Sequence, residues 1–166
     1  MDQLDMSTVY DTRTYCKQSL IRGNYGLLNT STFMPNPNYY RCIICEIYFD
    51  TLLQKGITIL VLNLDNNTTI EVNVALKFNK LPYRRVDEPA RIEYHLTTPN
   101  KNLHSQTMLL NGIFLSVNSA GEIPPLDPLY VNSRKPIIVG LLTIVFAHIP
   151  NVLLSTIQFI YPILVP

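Results

Sequence analysis

Tryptophan is absent from this chain of 166 residues, and charge is scarce: 15% of the residues are Asp, Glu, Lys or Arg, against 47% hydrophobic. A free-standing soluble domain usually carries about a quarter charged residues. The net charge is +1. That balance offers no basic stripe for nucleic acid and no acidic field to steer a polyelectrolyte. Glycine is rarer than proline, 6 against 12, which suits bends between short strands more than long helices. The length is that of about one domain, enough for a real core.

Cysteine is too sparse for a disulfide framework. There are three, Cys16, Cys42 and Cys45, and an odd count does not close. Cys42-x-x-Cys45 has the spacing of a metal half-site, but zinc needs four ligands and no second pair exists. Cysteines packed on an apolar element are the simpler reading. His95, His104 and His148 have no metal-motif spacing. No G-x-S-x-G elbow, phosphate loop or G-x-G-x-x-G is present, so no cofactor is expected. The opening Met1-Asp2-Gln3-Leu4-Asp5 lacks the basic and apolar regions of a signal peptide. Three glycosylation sequons are nevertheless present, at Asn29, Asn66 and Asn67. They matter only in a chain that enters the secretory pathway.

What is there reads mostly as strands. Met1–Ser7 has the look of a helix end, and Thr14–Ile21 of a strand, followed by the loop Arg22–Asn29. Pro35-Asn36-Pro37 is a turn signal in which Asn36 or Asn38 can cap the next element. Asn38–Gln54 is open: its length suits a helix, its β-branched and aromatic content a strand. Ile57–Leu64 is a buried-type strand, expected at the centre of its sheet. The turn residues Asp65-Asn66-Asn67 lead to the alternating Thr69–Ala75, so a hairpin is expected, with Ile70, Val72 and Val74 facing inward. Arg91–Leu96 and Gln106–Leu110 come next. Asn111-Gly112 then turns into Ile113–Val117, the strongest short-range hairpin signal in the chain. Ile137–Ile149 is one apolar, β-branched run.

The stretch Arg91–Gly112, RIEYHLTTPNKNLHSQTMLLNG, with Glu122-Ile123-Pro124-Pro125-Leu126 beyond it, resembles the C-terminal β-domain of plant heparanase-like proteins, the β-glucuronidases of glycoside hydrolase family 79. That family has an EYHLT strand, an SQTMLLNG strand and hairpin, and an IPPL bend. The resemblance implies a mainly β fold: an incomplete antiparallel β-sandwich preceded by the last strand and helix of a (β/α)8 barrel. It divides the chain into a barrel remnant over 1–54, a β-sandwich over 55–151 and a diverged apolar tail over 152–166. YCKQSLI would be the eighth barrel strand and PNPNYY the opening of the last helix. Two departures stand out. RCIICEIYFDTLLQ runs straight into KGITILVL where the family has a further strand ending in His-Cys. The tail lacks the cysteine that pairs with it in the family. Loss of such a bridge typically costs about 2–5 kcal/mol.

The resemblance implies hydrolysis of β-linked glucuronic acid, with retention and without a metal. Retaining glycosidases use two carboxyl groups about 5–5.5 Å apart. In the family the acid/base lies in an Asn-Glu pair, and no such pair occurs here. The nucleophile would lie before residue 1. No catalytic residue is therefore assigned. Glu46, Glu71, Glu88, Glu93 and Glu122 read as solvated surface. His104 and Ser105, as neighbours on a strand, would face opposite ways. Gly23-Asn24-Tyr25 matches the family's GNY segment, which implies contact with bound glucuronate. Arg22 stands where the family has another glycine. A glucuronate-containing glycan is thus the implied partner, and a secreted, lysosomal or vacuolar compartment the implied location. Ile137–Pro166 exceeds the roughly 20 residues of a membrane span but is broken by Gly140, Pro150 and Pro162; the resemblance makes Ile137–Pro150 one core strand of the sandwich and leaves Val152–Pro166, too short to span. The helix over 38–54 and the tail would keep apolar stripes without barrel partners, so aggregation or membrane association is expected, relieved by trimming 152–166. Two other readings differ in class: a non-catalytic β-sandwich that binds a carbohydrate or a partner, and a degenerate gene product.

Overall fold

The computed structural model of the chain describes residues 20–21, 26–50, 56–76, 90–150, 157–159 and 163–164. The expected helix end at Met1–Ser7 and the greater part of Thr14–Ile21 lie outside the described residues. What is described is mainly β, with antiparallel sheets and one α-helix.

Helix α1 runs from Pro37 to Asp50. Length prevails over the β-branched content, because a tertiary surface waits for one face. Proline at the first helical position costs no hydrogen bond. Asn36 stands before it but does not cap with its side chain. Its Nδ2 instead donates to Gly26 O at 3.0 Å, while its carbonyl accepts from Tyr39 N at 2.9 Å. Tyr40 and Ile44, one turn apart, are buried.

The strands are β1 (Gly56–Asn63), β2 (Ile70–Val72), β3 (Val74–Leu76), β4 (Ala90–Thr97), β5 (Met108–Leu110), β6 (Ile113–Leu115), β7 (Leu129–Asn132), β8 (Ile137–Val139), β9 (Thr143–Pro150), β10 (Ile157–Phe159) and β11 (Ile163–Leu164). Six make the larger sheet, in the order β1-β9-β4-β5-β6, with β7 also paired to β4. A smaller sheet has the order β11-β2-β8, and β10 pairs with β3.

Three expectations are corrected here. β1 is not central: it lies at the end of its sheet and pairs with β9, Ile59 opposite Ala147. β1 and β2 do not form a hairpin either. β2 joins the other sheet and pairs with β8, Ile70 opposite Val139. The apolar run 137–149 is not one strand. It is broken between Val139 and Thr143, where Leu142 takes φ 49° and its N–H reaches Asp65 O at 3.1 Å. Its halves, β8 and β9, serve different sheets. Local patterning marked the strands, but pairing across long separations decided their partners. The tail likewise acquires partners: Ile157 lies opposite Leu76 and Ile163 opposite Glu71.

The larger sheet is covered on both faces. On one, Tyr94, Leu96, Met108, Leu110, Leu115 and Phe146 close over Tyr40 and Ile44 of the helix. On the other, Ile59, Val145, Ala147 and Ile149 share a cluster with Ile137 and Val139 of the smaller sheet. Ile70, Val72 and Val74 pack against that cluster, as their alternation predicts. Burying a side chain of this kind contributes about 1.5–3 kcal/mol. At the start of β1 the fit against the neighbouring β9 is tight: a Cβ added to Gly56 would lie 2.7 Å from His148 Cε1 and 2.8 Å from Ile149 O. Among the described residues no helix is long and apolar enough to cross a membrane.

Candidate functional site

The motifs that single this chain out converge on the hairpin after β4. Asn111 and Gly112 carry φ 50° and 83°, the paired positive values of a type I′ turn. Asn111 is also a structural knot. Its N–H donates to His95 O at 2.9 Å, and its Oδ1 accepts from His95 N at 2.9 Å. Its Nδ2 donates to Asp127 O at 2.8 Å. The proline bend Ile123-Pro124-Pro125-Leu126 is thereby drawn against the hairpin, and Ile123 and Leu126 pack onto the cluster under the helix. These residues carry structure, and the hairpin tip leaves Ile113 and Phe114 exposed.

Gly23, Asn24 and Tyr25 lie outside the described residues. The loop that continues from them is built on itself. Leu28 bridges to Ile21 and to Pro35. Asn29 Oδ1 accepts the N–H groups of Ser31 at 2.9 Å and Thr32 at 3.0 Å. Phe33, with φ 56° and its ring largely exposed, is an uncommon backbone conformation for an aromatic residue. Asn29 Nδ2 reaches across to Gln106 Oε1 at 3.3 Å, tying the loop to the turn before β5. Two adjoining recesses flank that contact. One, of about 510 Å³, is lined by Asn29, Asn36, Asn38, His104, Ser105 and Gln106 among others. The other, of about 210 Å³, includes Tyr40, Gln106 and Ser116. Among the described residues the buried Tyr40 hydroxyl has no hydrogen-bond partner, and burial followed by the neighbouring Tyr39 raises its pKa.

The carboxylates do not gather. Glu71 is half-buried on β2 and Glu122 is exposed, accepting from Asn118 Nδ2 at 2.7 Å. Glu46 and Glu88 fall among residues whose side chains are not described. Glu93 corrects the surface reading, since it is only 4% exposed. Its Oε1 meets Arg91 Nε, and its Oε2 meets His95 Nε2 at 2.8 Å. Arg91, fully buried, also donates to the carbonyls of Ser133 (3.3 Å), Lys135 (2.7 Å) and Pro136 (3.1 Å). Desolvation pushes the Glu93 pKa up, but His95 and Arg91 outweigh it and hold it below the usual value. Both Glu93 oxygens are thus engaged, and the side chain is buried. It belongs to a charge cluster that fastens β4 to the turn leading into β8. The period-2 spacing Arg91-x-Glu93-x-His95, which places all three on one face, was the legible signal.

His104 and Ser105 lie in a turn before β5 and not on a strand. Ser105 Oγ is occupied by Thr107, at 3.0 Å from its Oγ1. Cys42 sits half-buried on α1. Among the described residues no group of three or more His, Cys, Asp or Glu side chains is arranged to hold a metal. His148, on the helix side of the sheet, places Nδ1 3.0 Å from Thr58 Oγ1, and burial lowers its pKa.

No protein-family model matches the chain. Curated plant proteins do. It is 43% identical to "Heparanase-like protein 3" of Arabidopsis thaliana over 92% of its own length and 35% of that protein. It is 33% identical to "Baicalin-beta-D-glucuronidase" of Scutellaria baicalensis over 91% of its length and 31% of that enzyme. "Heparanase-like protein 1" of Arabidopsis thaliana is 31% identical over 91% of the chain and 36% of that protein. The chain thus spans about a third of the length of these relatives.

Proposed function

This chain belongs to the plant heparanase-like family, and on that premise we propose that it is part of a retaining β-glucuronidase of glycoside hydrolase family 79, acting on β-linked glucuronic acid in glycans or glycoconjugates. The observation that carries the reading is the 43% identity over 92% of the chain. The hairpin locked by Asn111 and the packed Ile123 and Leu126 give physical reasons for the motifs that point to it.

In this reading the two sheets that share the cluster around Ile137, Val139, Val145 and Ile149 are the β-sandwich, residues 55–151. Residues 1–54 supply the last strand and helix of the barrel, α1 being that helix. Residues 152–166 are the diverged tail, whose β10 and β11 extend the strands β3 and β2. Gly23, Asn24 and Tyr25 are the residues proposed to face glucuronate. The compartment is secreted, lysosomal or vacuolar, as suits three sequons. The same reading allows membrane association through the apolar tail.

These 166 residues supply architecture and not the reacting carboxylates. They contain no Asn-Glu pair, and Glu93 is neutralised in a buried cluster. General acid–base assistance alone is worth about 10²–10⁴-fold in rate. The purified chain is expected to release no aglycone from an aryl β-glucuronide above background. Turnover that persists through further purification and survives Glu93→Gln would place the chemistry on carboxylates other than those of the parent family.

A further inference from the structure

We propose that the turn between β1 and β2 is an N-glycosylation site, carrying one glycan on Asn66 or Asn67, that Asn29 is left unmodified, and that this glycan shields the open edge of the larger sheet. The proposal rests on the proposed secretory compartment. The three triplets differ only in ending in Ser31 at Asn29 and in Thr68 or Thr69 in the turn, and the structure separates them further. Asn29 is half-buried, and both polar atoms of its side chain have partners: Oδ1 holds Ser31 N and Thr32 N, and Nδ2 donates to Gln106. A sugar on that nitrogen would be driven into the recess between the loop and the turn before β5.

The β1–β2 turn is the reverse case. Its inner side is fastened. Asn63, buried, accepts Asp65 N at 3.0 Å and fans its amide over Thr68 O (2.7 Å), Gly140 O (2.9 Å) and Val139 O (3.3 Å). Asp65 Oδ1 accepts Asn67 N at 2.9 Å. Its outer side is open: Asn66 and Asn67 are exposed. A glycan there displaces nothing. It would also stand just beyond the end of β1, an edge strand whose outer backbone has no partner among the described residues, and beside Leu64, which is 70% exposed. An unpaired edge next to an exposed apolar side chain invites pairing with another chain, and a bulky hydrated sugar blocks that approach.

The donor is a lipid-linked oligosaccharyl pyrophosphate. The asparagine Nδ2 forms the new bond to the sugar C1, the bond from C1 to the pyrophosphate oxygen breaks, the lipid pyrophosphate leaves with the electron pair, and one amide proton passes to a base.

The test expresses the full chain behind a secretion signal in a eukaryotic host. An amide-cleaving glycosidase in heavy-oxygen water then marks each formerly glycosylated asparagine as labelled aspartate. The expected result is one label in the turn and none at Asn29. It is abolished by the double change Asn66→Gln with Asn67→Gln. Thr68→Ala, which leaves only the Asn67 sequon, and Thr69→Ala, which leaves only that of Asn66, assign the label to one asparagine. The double variant is expected to shift toward dimers and larger species on size exclusion. An unlabelled turn, or a label at Asn29 at equal occupancy, overturns the site. An unchanged elution profile overturns the shielding role. Imaging of the native chain in plant cells tests the compartment separately: a cytosolic signal beside a labelled turn in the secreted form would sink the compartment reading and leave the site standing.

Discussion

A fully buried arginine persists only where its charge is met. Arg91 meets Glu93 on its own strand and three carbonyls of the turn after β7. Removing one partner of such a cluster leaves an uncompensated buried charge, at about 3–5 kcal/mol. Glu93→Gln is therefore expected to lower the unfolding free energy at neutral pH by about that much. Among the described residues three depressed pKa values shape the acid side: those of His148, Glu93 and Asp65, the last held down by hydrogen bonds from Asn67 and Thr68. His148, depressed by burial, contributes stability that is present above its ordinary value of 6.5 and declines as pH falls below it. Glu93 is depressed overall because His95 and Arg91 overcome desolvation. It contributes stability above its ordinary 4.5 that is lost as pH falls through its lower folded value. Urea unfolding across pH 3 to 8 should show a plateau above about 6.5 and two successive declines on the acid side. The second decline should be smaller in Glu93→Gln, with the part that belongs to Asp65 remaining. A variant as stable as the parent, with the same acid profile, would show that the cluster holds nothing.

At the scale of elements, the hairpin β5–β6 tests how far turn chemistry sets register. Gly112 has φ 83°, and a Cβ added there meets nothing within 4 Å. The penalty for a side chain is thus conformational and not steric. A residue forced into the left-handed region costs about 1–2 kcal/mol, least for Asn and most for a β-branched residue. Gly112→Asn is expected to be nearly neutral. Gly112→Val should lower the melting temperature by several degrees, roughly 4–8 °C per kcal/mol for a small domain and less for a larger one. Equal losses in the two variants would mean that the side chain, and not the backbone angle, is what the turn rejects. Helix α1 makes the complementary point. Its residues are as suited to a strand as to a helix, and the outcome reflects Tyr40 and Ile44 closing onto Leu96, Leu110 and Phe146.

For the whole molecule, the two segments that lack barrel partners find others in part, since Tyr40 and Ile44 are buried and 157–159 and 163–164 are paired strands. The helix covers the larger sheet, and the tail pairs with β2 and β3. Removing 152–166 would bare the strands that β10 and β11 now cover, and bare edges associate. The trimmed chain is expected to melt lower and to elute with a larger oligomeric fraction than the full chain on size exclusion. A trimmed chain that is the more monomeric of the two would mean that the tail strands are dispensable.

The sequence by itself determined the family, strands within 57–64, 69–75, 91–96, 106–110 and 113–117, and the Asn111-Gly112 turn, because local chemistry decides each of them, whereas β7 and the break between β8 and β9 were not legible in it. Alternation places side chains on faces, and paired positive φ values favour Asn-Gly. It also showed which face of 70–74 turns inward. It did not reveal that β1 sits at an edge, that β1 and β2 part into different sheets, or that Glu93 is buried. Those outcomes hang on pairings between residues far apart, such as Ile59 with Ala147 and Arg91 with Lys135, whose energies no local window contains. The three sequons are the same case in miniature. As triplets they differ only in Ser31 against Thr68 and Thr69, and the fold engages the amide of Asn29 while leaving Asn66 and Asn67 exposed.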